Sequence, residues 1–104
     1  MSTLREVGRT ADTPPGKAKL VQVDGKKIAL FNVGGHFYAL DDTCTHRGGP
    51  LSQGAVDAQA MSVTCPWHGS QFDLKTGKVL HPPATQPVHA YRVVVEGDRV
   101  KLEV

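Results

Sequence analysis

Two short blocks of this chain carry the side chains best suited to chemistry: Cys44-Thr45-His46-Arg47-Gly48 and Cys65-Pro66-Trp67-His68-Gly69. They hold both cysteines of the 104 residues and two of the five histidines. Each block offers one soft thiolate and one imidazole in a turn-rich setting. Four such ligands can close around a metal. In a reducing compartment, metal binding or redox chemistry is a better reading of a lone cysteine pair than a disulfide. Two cysteines and two histidines also suit structural zinc. Against zinc, the Cys-x-His spacing is tighter than in the usual finger pairs, and no helix is predicted to carry the second histidine. Ligand chemistry alone leaves zinc open.

The elements that must position these blocks read as β-structure. Helical periodicity is weak, and 11 glycines and 7 prolines punctuate short β-rich runs. Lys19 to Val23 and Lys27 to Val33 read as strands joined at Asp24-Gly25, a hairpin signal. Gly34-Gly35 then leads into a strand from His36 to Leu40. Val88 to Glu96 and Arg99 to Val104 form a closing hairpin around Gly97-Asp98. These outer segments predict one antiparallel sandwich or barrel. From about residue 41 to 83 the chain is richer in Gly, Pro, Cys and His. Within it, Met61 to Thr64 reads as a short strand, and Gln71 to Leu74 with Lys78 to Leu80 as a small hairpin around Thr76-Gly77. Thr10 to Gly16 reads as a loop.

Length and composition bound the possibilities. The chain suits one domain of modest core, where a bound cofactor matters for stability as well as function. A net charge of +2 is too mild to point to nucleic acid or a membrane surface, and no basic run interleaves with aromatics. The polar start Met1-Ser2-Thr3-Leu4-Arg5-Glu6 lacks the apolar core of a secretory signal, and no apolar run approaches a membrane span. The expectation is a soluble, cytoplasmic protein.

The two blocks closely resemble the Rieske signature, Cys-x-His and then Cys-x-x-His, with 18 residues here between His46 and Cys65. The resemblance continues through Gly48, Leu51, Gly54, Pro66, Trp67, Gly69, Phe72, Asp73, Gly77, the Pro82-Pro83-Ala84 stretch and the closing hairpin. It therefore spans nearly the whole chain and is to Rieske-type ferredoxins that serve bacterial ring-hydroxylating oxygenases. It implies an all-β fold, a Rieske-type antiparallel β-sandwich. Residues 1–104 would form one domain, with a small cluster-binding subdomain (about 41–83) inserted in the outer sandwich. It implies one [2Fe–2S] cluster, with the inner iron on Cys44 and Cys65 and the outer on His46 and His68. Neutral imidazoles in place of anionic thiolates leave the oxidised cluster less negative, which raises its potential above that of an all-cysteine cluster. The implied partners are a flavin-dependent NAD(P)H reductase and a terminal oxygenase. No catalytic acid or base is identified, so the chain reads as an electron-transfer component rather than an enzyme. The alternatives are the Rieske-like small subunit of an assimilatory nitrite reductase and a structural zinc module.

Departures from the high-potential respiratory Rieske proteins place the cluster in the lower half of the span of roughly −150 to +300 mV. Those proteins carry a disulfide between the cluster loops, and this chain has no third cysteine. Phe72 stands where they have a Tyr, while Ser70 remains as a candidate hydrogen-bond donor to sulfur. Gly48, Gly49 and Gly69 are expected to allow positive φ or close backbone approach to sulfur. Pro66 stiffens the second block, and Pro82-Pro83 resembles the family's covering loop. Trp67 is expected to shield the cluster, although a core role would leave the same sequence signal. His36 and His89 read as surface or structural residues; His81, next to the proline stretch, reads as structural, with a place near the cluster as the alternative.

Overall fold

β3 (Lys26–Val33) lies second from one edge of a six-stranded antiparallel sheet, with Ile28, Ala29, Leu30 and Phe31 all buried. The structure is a computed structural model and describes residues 4–45, 48–67 and 69–103. His46, Arg47 and His68 lie outside the described residues, as does Val104 at the end of the expected last strand. The other strands of the large sheet are β1 (Leu4–Arg9), β2 (Ala18–Val23), β4 (His36–Asp41), β9 (Ala90–Glu96) and β10 (Arg99–Glu103). Their order is β1-β10-β9-β4-β3-β2. A second antiparallel sheet orders β5 (Ala55–Asp57), β6 (Ser62–Thr64), β7 (Gln71–Asp73) and β8 (Val79–His81) in sequence. The all-β antiparallel reading therefore holds.

Period-2 alternation explains why β3 is apolar on both faces. Ile28 and Leu30 enter a core with Val21, Val23, Tyr91, Val100 and Leu102. Ala29 and Phe31 enter a different core with Leu40, Leu51, Val63, Phe72 and both cysteines. Asp24-Gly25 turns β2 into β3 with both residues at positive φ (50° and 80°), the backbone that a two-residue hairpin needs to match strand twist.

The chain leaves the large sheet after Asp41 and re-enters it at Ala90, where β9 pairs with β4 through Ala39–Tyr91 and Leu40–Ala90. The two crossing points are tied together. The Asp41 N–H donates to the His89 carbonyl at 2.9 Å, and the Tyr91 hydroxyl donates to Asp41 Oδ1 at 2.6 Å. Burial, and then the bond to the Asp41 carboxylate, hold the Tyr91 phenol above its ordinary pKa.

Several local readings change. β1 and β5 carry little apolar alternation and are not apparent in the sequence; pairing with β10 and β6 makes them strands. A 3₁₀ turn at Thr10–Asp12 interrupts the expected Thr10–Gly16 loop. Val88 and His89 lie before β9 rather than in it, because Val88 is drawn aside by a bond from its N–H to the Gly77 carbonyl. Met61, with φ at 53°, belongs to the turn before β6.

Candidate metal centre

The two cysteine blocks form loops with the same backbone frame. In the first, the Cys44 N–H donates to the Gly49 carbonyl at 2.9 Å and the Gly48 N–H donates to the Cys44 carbonyl at 2.8 Å. In the second, the Cys65 N–H donates to the Ser70 carbonyl at 2.7 Å and the Gly69 N–H donates to the Cys65 carbonyl at 3.1 Å. Each turn thus closes from the cysteine to the residues four and five positions on. The residue four positions on has φ near +80° in both cases: 78° at Gly48 and 81° at Gly69. A Cβ at Gly69 would meet nothing within 4 Å, so dihedral angle rather than space demands glycine there.

Gly49 has the opposite reason. A Cβ on it would fall 2.6 Å from the Cys65 sulfur and 3.1 Å from Cγ of Trp67. The first loop therefore presses bare backbone against the thiol of the second, as expected of a site where backbone N–H groups approach sulfur. Cys44 and Cys65 are both buried, 2% and 3% exposed, share one core, and are not in a disulfide.

The frame is anchored at its base. Asp42 is buried; its N–H donates to the Lys27 carbonyl, its carbonyl accepts from the Leu51 N–H, and its Oδ1 accepts from the Ser52 N–H at 2.7 Å. The backbone of Asp42 binds the first loop to the large sheet while its carboxylate holds the turn at Ser52, and sequence reading missed this residue. An aspartate directly before a glycine-rich loop was the available signal.

Residues 82–88 run across both loops. The Ala84 N–H donates to Ser70 Oγ at 3.0 Å, and Thr45 Oγ1 donates to the Gln86 carbonyl at 2.7 Å. Ala84 and Val88 are buried in the core that holds the cysteines. The fully buried Ser70 hydroxyl uses an acceptor lone pair on Ala84 and keeps its own proton to give. Trp67 is 57% exposed, which removes the core-packing reading and puts the ring at the surface beside Gly49. His36 and His81 are exposed, and His81 Nδ1 lies 3.0 Å from the Pro82 carbonyl. His89 sets its ring edge-on to Tyr91, with centroids 4.5 Å apart.

Two buried thiols that share a core, with bare backbone packed against one of them, fit a cysteine-held iron centre. Comparison with known proteins agrees. Residues 3–92 match the model of the Rieske [2Fe-2S] domain. The chain is 45% identical over 93 residues to the 3-phenylpropionate/cinnamic acid dioxygenase ferredoxin subunit of Shigella flexneri serotype 5b, covering 89% of this chain and 86% of that one. It is similar in structure to the ferredoxin of carbazole 1,9a-dioxygenase from Nocardioides aromaticivorans IC177, with TM-score 0.92, 31% identity and 96% of each chain covered. It also resembles a chain in the complex of reduced oxygenase and oxidised ferredoxin of carbazole 1,9a-dioxygenase, with TM-score 0.88, 34% identity, and 96% of this chain and 92% of that one covered. These matches remove the zinc reading. The chain belongs to the Rieske [2Fe–2S] family, and its cofactor is a [2Fe–2S] cluster.

Proposed function

We propose that this chain is a one-electron carrier that passes electrons from a flavin-dependent NAD(P)H reductase to a terminal oxygenase in the cytoplasm. Its cluster ligands in this reading are Cys44 and Cys65 on the inner iron and His46 and His68 on the outer. Residues 1–104 form a single domain in this reading, with the cluster-binding part, about 41–83, inserted in the outer sandwich. The supporting observation is the pair of matched loops, which bury both cysteines in one core while Thr45, Trp67 and Gly69, the described neighbours of the two histidines, are exposed. Such a rise in exposure from the buried thiols to the neighbours of the histidines suits an electron leaving on the histidine side.

The bound cluster supplies reversible one-electron chemistry. The chain's own part is to orient it and set its potential. Backbone N–H groups and the Ser70 proton are available donors to sulfur, and a donor favours the reduced, more negative form. Relatives at 45% identity are ferredoxin subunits of dioxygenases, which favours the oxygenase reading over the nitrite reductase small subunit. No helix among the described residues is long and apolar enough to cross a membrane.

Anaerobically purified protein should be red-brown, contain iron and acid-labile sulfide in equal amounts, and show the low average g value of mixed His/Cys ligation when reduced. His46→Ala or His68→Ala should abolish that signal. An unchanged spectrum in either variant would refute the ligand assignment. Electron delivery is tested by mixing the reduced protein with oxygenases encoded nearby; failure to oxidise it with any of them would refute the partner reading.

A further inference from the structure

We propose that Thr45 is a positioning residue, which latches the 82–88 strap to the first cysteine loop and so holds Cys44 in register with the second loop. This rests on the ligand reading above. The strap is buried at Ala84 and again at Val88, and between these pins Thr85, Gln86 and Pro87 are exposed. Prolines at 82, 83 and 87 make the strap poor in N–H donors, and Pro87 confines Gln86 to extended backbone, which holds its carbonyl in one direction. Thr45 Oγ1 meets that carbonyl at 2.7 Å.

The second loop reaches the same strap through Ser70 and Ala84 at 3.0 Å. The two loops, already in contact at Gly49, are thus joined a second time through residues 84–86. Thr45 stands between Cys44 and His46, so fixing its side chain limits the backbone torsions on either side. The acceptor is a backbone carbonyl, so the side chain at 86 should not matter, whereas the hydroxyl at 45 should.

The test uses the loaded protein in four forms: wild type, Thr45→Val, Thr45→Ser and Gln86→Ala. Val keeps the shape of Thr and removes its hydroxyl; Ser keeps the hydroxyl. Thr45→Val is expected to lose cluster colour to an iron chelator about three- to tenfold faster, the scale of one net hydrogen bond. Its amides at Gln86 and Val88 should exchange hydrogen faster. Its potential should rise, because water admitted under a loosened strap favours the more charged, reduced form. Thr45→Ser and Gln86→Ala should match wild type in all three measurements. Thr45→Val indistinguishable from wild type would overturn the latch. Faster cluster loss with an unmoved potential would reduce Thr45 to a stabilising contact and overturn its positioning role. A wild type lacking iron and sulfide would sink the proposed function and the positioning role with it. A normally loaded wild type with four identical proteins sinks the latch alone.

Discussion

β3 runs for eight residues with apolar side chains on both faces, and its hairpins to β2 and β4 are tight. Every strand of the four-stranded sheet is three residues long. The large sheet contributes a core of aliphatic and aromatic side chains, among them Ile28, Leu30, Val100 and Leu102, without a cysteine. The core under the small sheet includes Cys44 and Cys65 themselves. One region is thus organised by ordinary burial and local turns. The other packs the two thiols proposed as cluster ligands into its core, and strands of three residues are marginal without such packing. The comparison teaches that the scaffold and the site have separable sources of order, joined where the Asp41 N–H donates to the His89 carbonyl and the Asp42 N–H donates to the Lys27 carbonyl of β3.

Removing the cluster should give the largest effect, since cofactor binding adds directly to folding free energy. Hydrogen exchange on apo-protein should show protection lost between residues 42 and 89 and retained in β2, β3 and β4. Equal protection of the cysteine loops with and without cluster would break the comparison.

Core truncation comes next. Phe72→Ala, at a fully buried site under the small sheet, should cost about 3–5 kcal/mol in holo-protein. Leu102→Ala, in the other core, should cost about 2–5 kcal/mol. The two should separate by their dependence on cofactor: denaturant melts should show the Leu102 loss in apo- and holo-protein alike, and the Phe72 loss in holo-protein chiefly.

Gly69→Ala should destabilise by about 1–2 kcal/mol, the cost of a left-handed backbone with a Cβ, since no atom obstructs it. Gly49→Ala should act differently. It should perturb the EPR line shape through Cys65, because obstruction rather than backbone angle is at fault. Matching spectra for the two variants would show that the two glycines do one job.

The smallest effect is expected inside the large sheet, where Tyr91 of β9 is bonded to Asp41 of β4 at the exit and re-entry of the inserted segment. Tyr91→Phe removes a part-buried hydrogen bond to a carboxylate and should cost about 1.5 kcal/mol, the low end for a charged acceptor. The phenol's pKa is raised in the folded state, so its stabilisation is fully present below the unfolded value of about 10 and is lost as pH climbs through the folded value. Wild-type stability should therefore decline above about pH 10, and the decline should be shallower in Tyr91→Phe, followed by melts across the alkaline range.

Much of the site and part of the scaffold were legible in the residues because their causes are local. Asp24-Gly25 states its own dihedral angles, and the apolar run of β3 states its burial. The two cysteine blocks announce paired loops through a glycine four positions after each cysteine, where the backbone turns left-handed. Contacts between distant residues were decided by the tertiary structure alone. β1 is a polar strand made by its partner β10, Asp42 becomes an anchor only where the 3₁₀ turn at Leu51–Gln53 meets it, and Trp67 is at the surface rather than in the core. Thr45 and Gln86 are separated by 41 positions, Asp41 and Tyr91 by 50. No short-range preference of either residue points to the other. Torsional preference acts over a few bonds, whereas a side-chain hydrogen bond between remote segments exists only after packing has brought both backbones to within about 3 Å of a match.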